Sequence, residues 1–106
     1  MAQEFVKATI EGNKVVIFSK PTCSFCIRAK DVLSKYKLKP GRLQIVDISA
    51  REDMGSLQDY FLELTGARTV PRVFIGQECV GGGSDVEALH ASGKLEGMLQ
   101  AIGALQ

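Results

Sequence analysis

The sequence lacks tryptophan, and its 106 residues include only one histidine, three prolines and three cysteines. Its longest uninterrupted apolar run, at 15–18, has four residues, whereas a membrane-spanning helix needs about 20. Three cysteines are an odd number, which argues against the paired disulfide framework of a small secreted protein. These absences predict that the protein does not span a membrane and that it works in a reducing compartment, most simply the cytoplasm.

The sequence has no marked excess of either charge: it contains 13 Lys and Arg residues and 12 Asp and Glu residues, for a formal net charge of +1. Neither nucleic acid nor another polyanion is therefore predicted as a partner, and no membrane partner is predicted either. The first five residues lack the basic and apolar regions of a signal peptide. The length suits a single domain over residues 1–106 with one layered core.

The apolar periodicity predicts secondary structure in the order α-β-α-β-α-β-β-α-α. A continuous apolar run at 15–18 predicts a strand that is covered on both faces. The other predicted elements are a first helix ending near Gly12, a helix over 24–37, a strand over 43–48, a helix ending at Gly66, strands over 73–75 and 78–80, a helix from Ser84 and a last helix through 95–102.

Two helix starts carry the spacing of a capping box, in which a serine is followed three residues later by a glutamate. Ser49 with Glu52 predicts the start of the third helix, and Ser84 with Glu87 predicts the start of the fourth. The buried stripe predicted for the third helix consists of Leu57, Tyr60, Phe61 and Leu64.

The last two strands are separated only by Gly76-Gln77, which predicts a hairpin with a type II′ turn because glycine comes first. The first two strands are joined through a helix, so they are predicted to be parallel with a right-handed crossover. The sequence therefore predicts an α/β fold with a four-stranded mixed sheet and helices on both faces.

The segment Cys23-Ser24-Phe25-Cys26 follows the first strand and precedes a stretch with helical periodicity. Two cysteines separated by two residues can close a small disulfide ring, which is typical of thiol–disulfide chemistry. At the helix start, unpaired N–H groups and the helix dipole would stabilise a Cys23 thiolate, and Lys20 would add a cationic neighbour. We therefore predict Cys23 as nucleophile, assisted by Lys20. Cys26, one turn further on the apolar side, is predicted as the resolving thiol.

Other interpretations of the cysteines remain open. The pair could be a structural staple or a coincidence of spacing. A zinc site would need two further ligands, and only Cys79 and His90 remain, so no metal site is predicted. His90 suits a surface position in a short helix, and Cys79 suits a small apolar residue in a strand better than a regulatory thiol.

Three segments resemble the glutaredoxin family, specifically its small dithiol members of the vertebrate cytosol. They are Lys20-Pro21-Thr22-Cys23 with Cys26, the segment TVPRVFIG at 69–76, and Gly81-Gly82 followed by Ser84-Asp85. The resemblance covers essentially the whole chain and implies a thioredoxin fold. It also implies a cis peptide bond before Pro71, at the one type of bond where cis is cheap. The Val70 backbone would then be exposed to an extended peptide such as glutathione.

The resemblance further implies a glutathione site. In the family, the glycine loop holds the γ-glutamyl end, and Asp85 matches the acidic residue that meets its amino group. Lys20 and Gln58 match positions that contact the glycyl carboxylate, and Phe25 supplies a ring that can flank glutathione. The residues so implied to bind glutathione are Lys20, Phe25, Gln58, Thr69, Val70, Pro71, Gly82, Gly83, Ser84 and Asp85.

Two departures from the family pattern affect these expectations. Many members have Pro-Tyr between the cysteines, where this chain has Ser24-Phe25. Loss of that proline is associated in the family with a glutathione-ligated [2Fe–2S] cluster between two protomers, for which Cys23 would be the protein ligand. Gly83 stands where some relatives carry a further cysteine, so a second disulfide with Cys79 is not available.

The resemblance implies a glutathione-dependent oxidoreductase that reduces protein–glutathione mixed disulfides and small or protein disulfides. Glutathione would be the reducing co-substrate, with electrons supplied indirectly by NADPH and glutathione reductase. Family potentials of about −200 to −230 mV lie within reach of the cytosolic glutathione pool. The protein is predicted to be a monomer. Thioredoxin is an enzymatic rival, but its tryptophan and Gly-Pro are missing; the alternative function is cluster binding by a dimer.

Overall fold

The computed structural model describes residues 2–106, which form helices and strands in the predicted order. Among these residues, no helix is both long and apolar enough to cross a membrane. The elements are α1 (Ala2–Ile10), β1 (Val15–Ser19), α2 (Ser24–Ser34), β2 (Leu43–Asp47), α3 (Met54–Thr65), β3 (Arg72–Ile75), β4 (Glu78–Gly81), α4 (Gly83–Ala91) and α5 (Lys94–Ala101).

The four strands form one mixed sheet in the order β2-β1-β3-β4. β1 pairs in parallel with β2, with Val15 opposite Leu43. The crossover through α2 returns the chain to the end of the sheet where β1 began, so both strands run in the same direction. β1 pairs antiparallel with β3, and β3 pairs antiparallel with β4. The predicted four-stranded mixed sheet is therefore confirmed.

Helices cover both faces of the sheet and create two apolar clusters. Successive residues of a strand point to opposite faces, so Val15 and Ile17 pack in one cluster with residues of α2, α4 and α5. Val16 and Phe18 pack in the other with residues of α1 and α3, where the ring centroids of Phe18 and Phe61 are 5.1 Å apart. Because β1 is buried on both faces, its packing fixes the position at which the following cysteine segment begins.

The predicted start of α3 is wrong. The helix begins at Met54, and the side chain of its N-cap residue, Asp53, makes no capping hydrogen bond. Ser49 Oγ donates instead to Asp47 Oδ1 at 2.6 Å, because an aspartate at the end of a strand competes for nearby donors and stabilises a turn. Glu52 is exposed and plays no part in a capping box.

Two other helix predictions need correction. α2 ends at Ser34 rather than at 37, although Tyr36, just beyond the helix, still packs against the first apolar cluster. In α3, Leu57 and Phe61 are buried as predicted, whereas Leu64 is 49% exposed. Leu64 lies in the last turn of the helix and borders an open cavity, so helical periodicity alone does not bury it.

The hairpin turn between β3 and β4 also differs from the prediction. Gly76 and Gln77 have φ angles of +57° and +76°. Positive φ at both central residues defines a type I′ turn, whereas a type II′ turn has positive φ only at the first. The predicted hairpin is therefore confirmed, and its predicted turn type is wrong.

Replacing Gly97 by alanine is expected to raise the free energy of unfolding by about 1 kcal/mol. Gly97 lies inside α5, and a Cβ added there would meet no atom within 4 Å. Gly93 has the same open surroundings, but its φ is +80°, a conformation that costs alanine about 1–2 kcal/mol. Gly93→Ala is thus the matched control and should destabilise. Urea unfolding followed by circular dichroism measures both, and shifts in the same direction would contradict this explanation.

Candidate active site

Cys23 is the N-cap residue of α2, with an extended backbone conformation. Its sulfur accepts a hydrogen bond from the Cys26 N–H, with 3.3 Å between N and Sγ. This N–H is one of the donors that a helix start leaves without a backbone partner. The sulfur thus satisfies this donor at the positive end of the helix dipole. The predicted position of Cys23 at the helix start is confirmed.

The two cysteines of the pair differ in exposure. Both are free thiols, but Cys23 is partly exposed and Cys26 is fully buried. Burial and the hydrogen bond with Cys23 raise the pKa of Cys26 to about 11, although a backbone hydrogen bond with Lys20 and the charge of Lys30 act in the opposite direction. At neutral pH Cys26 is therefore a shielded thiol, as its predicted place on the apolar side of the helix implies.

The segment that precedes β3 lies opposite Cys23. The Val70–Pro71 peptide bond is cis, as the sequence resemblance implies. The Val70 carbonyl oxygen accepts a hydrogen bond from the Cys23 thiol, with 3.6 Å between Sγ and O. The backbone of this segment therefore lies within hydrogen-bonding distance of the Cys23 sulfur.

The glycine loop connects β4 to α4, and Asp85 closes it. Asp85 Oδ2 accepts the Gly82 N–H at 2.8 Å at the start of α4, so the predicted capping box of Ser84 and Glu87 is wrong. Gly81 has a φ of +114°, and a Cβ there would overlap the Asp85 carboxylate. Only glycine allows this closure.

A groove of about 300 Å³ separates the cysteine segment from the glycine loop. Phe25, on one side, is 47% exposed, and the Arg28 guanidinium lies 5.0 Å from the centre of its ring. The walls approach closely where α2 meets α4, since a Cβ on Gly83 would lie 2.5 Å from the Phe25 carbonyl oxygen. The groove is lined by Phe25, Thr69, Val70, Pro71, Arg72, Gly82, Gly83, Ser84 and Asp85.

The groove thus brings together all of the residues implied to bind glutathione except Lys20 and Gln58. Lys20 is partly buried, and its carbonyl oxygen accepts the Cys23 N–H at 3.2 Å. Gln58 Nε2 donates to the carbonyl oxygen of Arg68 at 3.1 Å, one residue before the groove segment that begins at Thr69. Both residues therefore flank the groove rather than line it.

Sequence reasoning missed two arginines of this region. Arg68 is exposed, and its Nη2 lies 2.9 Å from Asp59 Oδ1. Arg72 is only 8% exposed and lines the groove, and its Nε donates to the Pro71 carbonyl oxygen at 3.1 Å. Their places on either side of Thr-Val-Pro are the one signal that could have identified them.

The remaining candidate residues lie elsewhere. Cys79 is partly buried and packs against the apolar cluster that contains Phe74. His90 is also partly buried rather than a surface residue, because its Nδ1 lies 2.6 Å from Tyr36 Oη. Over residues 2–106, no three His, Cys, Asp or Glu side chains come together in a way that could hold a metal ion.

Comparison with known proteins gives consistent similarities. The glutaredoxin family model matches residues 15–80, which include both cysteines of the pair. Human glutaredoxin-1 is 55% identical and pig glutaredoxin-1 is 54% identical over 106 residues, with full coverage of both chains in each case. The crystal structure of a buckwheat glutaredoxin–glutathione complex superposes with a TM-score of 0.91 at 34% identity, covering 100% of this chain and 94% of that one.

Proposed function

We propose that Cys23 and the groove beside it form a glutathione-dependent active site, because the chain belongs to the glutaredoxin family and has the thioredoxin fold of its structural neighbours. The protein is a glutathione-dependent thiol–disulfide oxidoreductase. The observation that carries the proposed site is the partly exposed Cys23 sulfur, hydrogen-bonded to a helix N–H and 3.6 Å from the Val70 carbonyl oxygen at the groove wall.

The first half of the proposed cycle is a transfer to Cys23. The Cys23 thiolate attacks the glutathione sulfur of a protein–glutathione mixed disulfide, so that one sulfur–sulfur bond forms as another breaks. The client protein leaves as a thiolate, takes up a proton and is thereby reduced. Binding of the glutathionyl group in the groove selects which of the two sulfurs is attacked.

A second glutathione thiolate completes the cycle by attacking the glutathione sulfur held on Cys23. Oxidised glutathione leaves, and the Cys23 thiolate is restored at the helix start, where the Cys26 N–H stabilises it. Glutathione reductase and NADPH then return oxidised glutathione to the thiol. The two electrons that reduce the client disulfide therefore come from glutathione.

With a protein disulfide as substrate, Cys26 takes the resolving role. Cys23 attacks the disulfide, and the Cys26 sulfur then attacks Cys23, releasing the fully reduced protein and leaving a Cys23–Cys26 disulfide. The buried position of Cys26 shields its sulfur from external thiolates, so that they attack the Cys23 sulfur of this disulfide. Glutathione reduces the pair afterwards.

The rate at which Cys26 displaces glutathione from Cys23 is expected to rise about tenfold per pH unit between pH 7 and pH 9. Only a thiolate attacks, and with a pKa raised to about 11 its thiolate fraction is still increasing throughout this range. Burial, the largest cause of the shift, persists when Cys23 is blocked. Rapid mixing, acid quenching and mass spectrometry measure the rate, and a plateau below pH 9 would contradict the raised pKa.

Glutathione is proposed to lie along the groove with its cysteine sulfur at Cys23. The backbone of Val70 would pair with the peptide, Phe25 would flank it, and Asp85 would face the γ-glutamyl ammonium group. The free N–H groups at the start of α4 suit the neighbouring carboxylate. At the other end, Lys20 and Gln58 would meet the glycyl carboxylate. The remaining proposed contacts come from Thr69, Pro71, Gly82, Gly83 and Ser84.

The test is steady-state reduction of a mixed disulfide between glutathione and a small thiol, coupled to glutathione reductase and NADPH. Turnover should depend on glutathione and saturate with the mixed disulfide. In a parallel reaction, thioredoxin reductase replaces glutathione and its reductase. Turnover only in the parallel reaction would favour the thioredoxin interpretation over the proposed site.

The alternative function, a glutathione-ligated [2Fe–2S] cluster shared by two protomers, remains a prediction. Cys23 is partly exposed and could offer one thiolate per protomer, whereas Cys26 is buried. Thiolates of two bound glutathione molecules would complete the four-thiolate set that such clusters need. Ser24 in place of proline is the feature that favours this function. After anaerobic reconstitution, a coloured dimer would support it, and a colourless monomer would count against it.

A further inference from the structure

Arg72 carries a buried positive charge without a carboxylate partner. Arg72 is the first residue of β3, directly after Pro71, and only 8% of it is exposed. No Asp or Glu oxygen of residues 2–106 lies within 4.0 Å of its guanidinium nitrogens. A buried charge is normally paired, because removing it from water carries a large desolvation penalty. The guanidinium therefore has capacity for an anion that the protein itself does not supply.

The hydrogen bonds of Arg72 leave part of its guanidinium free. Nε donates to the Pro71 carbonyl oxygen at 3.1 Å, and Nη1 donates to Thr65 Oγ1 at 3.5 Å. A guanidinium has five N–H donors, and Nη2 makes no hydrogen bond within the part of the chain that the structure describes. Both acceptors that it does have are neutral.

The free nitrogen lies at the glycine-loop end of the groove. Arg72 Nη2 is 3.1 Å from the point that a Cβ on Gly82 would occupy, and Asp85 Oδ2 is 3.9 Å from the same point. Asp85 is held by the Gly82 N–H and does not form an ion pair with Arg72. A cation and an anion thus border one end of the groove without neutralising each other directly.

We propose that Arg72 binds the α-carboxylate of the γ-glutamyl residue of glutathione. This inference rests on the proposed function and identifies the charge that selects the γ-glutamyl end. That residue carries an ammonium group and a carboxylate on one carbon atom, which complements the neighbouring Asp85 carboxylate and Arg72 guanidinium. The planar fork of an arginine matches the two oxygens of a carboxylate. The glycyl end of glutathione has a carboxylate but no ammonium group.

A purely structural role for Arg72 gives a different expectation. Through Pro71 and Thr65, the side chain also connects the groove wall to the last turn of α3. If that were its whole effect, loss of the guanidinium would slow the reaction of every substrate by the same factor. A carboxylate-binding role instead slows only substrates that carry the γ-glutamyl α-carboxylate.

The test uses three mixed disulfides of 2-thiopyridine, whose release is followed by absorbance in a single turnover. The first carries glutathione, the second carries glutathione with the γ-glutamyl α-carboxylate converted to a carboxamide, and the third has the glycyl carboxylate converted instead. Wild type, Arg72→Gln and Arg72→Lys are compared by the second-order rate constant of transfer to the protein. Arg42→Gln is the matched control, because Arg42 also donates to backbone carbonyl oxygens, those of Asn13 and Ile102, away from the groove.

Arg72→Gln is expected to lower the rate constant roughly 10- to 100-fold for glutathione and for the glycyl carboxamide. The γ-glutamyl carboxamide should already be slow with wild type and should lose little more with Arg72→Gln. Arg72→Lys should keep part of the preference for the α-carboxylate. Arg42→Gln should leave the ratios between the rate constants of the three substrates as they are in wild type.

Three results would overturn the inference. Equal losses for all three substrates would assign Arg72 a structural role and leave the proposed function intact. Insensitivity confined to the glycyl carboxamide would place the other carboxylate of glutathione at Arg72. A fourth substrate, the 2-thiopyridine disulfide of a simple alkyl thiol, tests the proposed glutathione site itself: if wild type reacted with it as fast as with the glutathione disulfide, that site would be contradicted, and the inference with it.

Discussion

Replacing Cys23 by serine is expected to lower the reduction of a glutathionylated protein by more than about 1000-fold. Serine keeps the size of the side chain and can still accept the Cys26 N–H, but a hydroxyl does not ionise at neutral pH and cannot form a disulfide. The Cys23 sulfur is the partly exposed member of the pair and lies beside the groove. The effect is measured as kcat/KM in the glutathione reductase-coupled reaction.

Cys79→Ser is the matched control for this loss. It removes another partly buried thiol from the same chain, one that does not line the groove. Its turnover should equal that of wild type, and circular dichroism should show the same fold for both variants. Retained turnover in Cys23→Ser, or loss only in Cys79→Ser, would mean that the nucleophile has been assigned to the wrong sulfur.

Replacing Cys26 by serine is expected to separate the two reactions of the enzyme. Deglutathionylation should persist, because a second glutathione can complete the cycle on Cys23 alone. Release of a reduced protein after attack on its disulfide, measured without glutathione, should fall below detection because no resolving thiol remains. Cys23 would then stay joined to the substrate. Non-reducing electrophoresis of the single-turnover mixture should show this covalent complex.

The outcome for deglutathionylation tests the two-reaction scheme most sharply. Burial of Cys26 means that serine at this position could also disturb packing around α2, so the unfolding midpoint is measured alongside. A stable Cys26→Ser variant that no longer removes glutathione from proteins would contradict the monothiol cycle. Rapid release of the reduced substrate from such a variant would contradict the resolving role.

The sheet and its order of elements follow from the sequence because burial imposes strong patterns. β1 is buried at every position. A strand that is buried on both faces appears in the sequence as a nearly continuous apolar run, which is easy to recognise. The helix between the first two strands then requires parallel pairing, which the register of Val15 opposite Leu43 confirms. These are consequences of apolar patterns and connection length, both of which are visible in one chain.

Local polar geometry was harder to predict, because several neighbouring side chains compete for the same donors. Ser49 has the spacing of a cap, but its hydroxyl group is engaged by Asp47. At α4, Asp85 takes the capping position because it reaches the Gly82 N–H. At the hairpin, Gln77 adopts positive φ, which the sequence did not indicate because glutamine rarely does so.

The residues of the candidate site also fall into two groups, those that the sequence alone predicts and those that it does not. Cys23 and Cys26 were identified from their spacing and from the apolar side of the following helix, which are local properties. The residues of the groove were implied by family resemblance, because they come from three separate segments that only the fold brings together. Arg72 was missed because an arginine at a strand start gives no sign of burial. Its missing partner is a property of three-dimensional packing.

The central claim is that Cys23 carries the glutathionyl group during turnover. Its most direct test is intact-mass and peptide-level mass spectrometry of Cys26→Ser after brief reaction with a glutathionylated peptide. We predict one added glutathionyl group, located on the peptide that contains Cys23, which disappears when reduced glutathione is added. No adduct, or an adduct confined to Cys79, would contradict the claim.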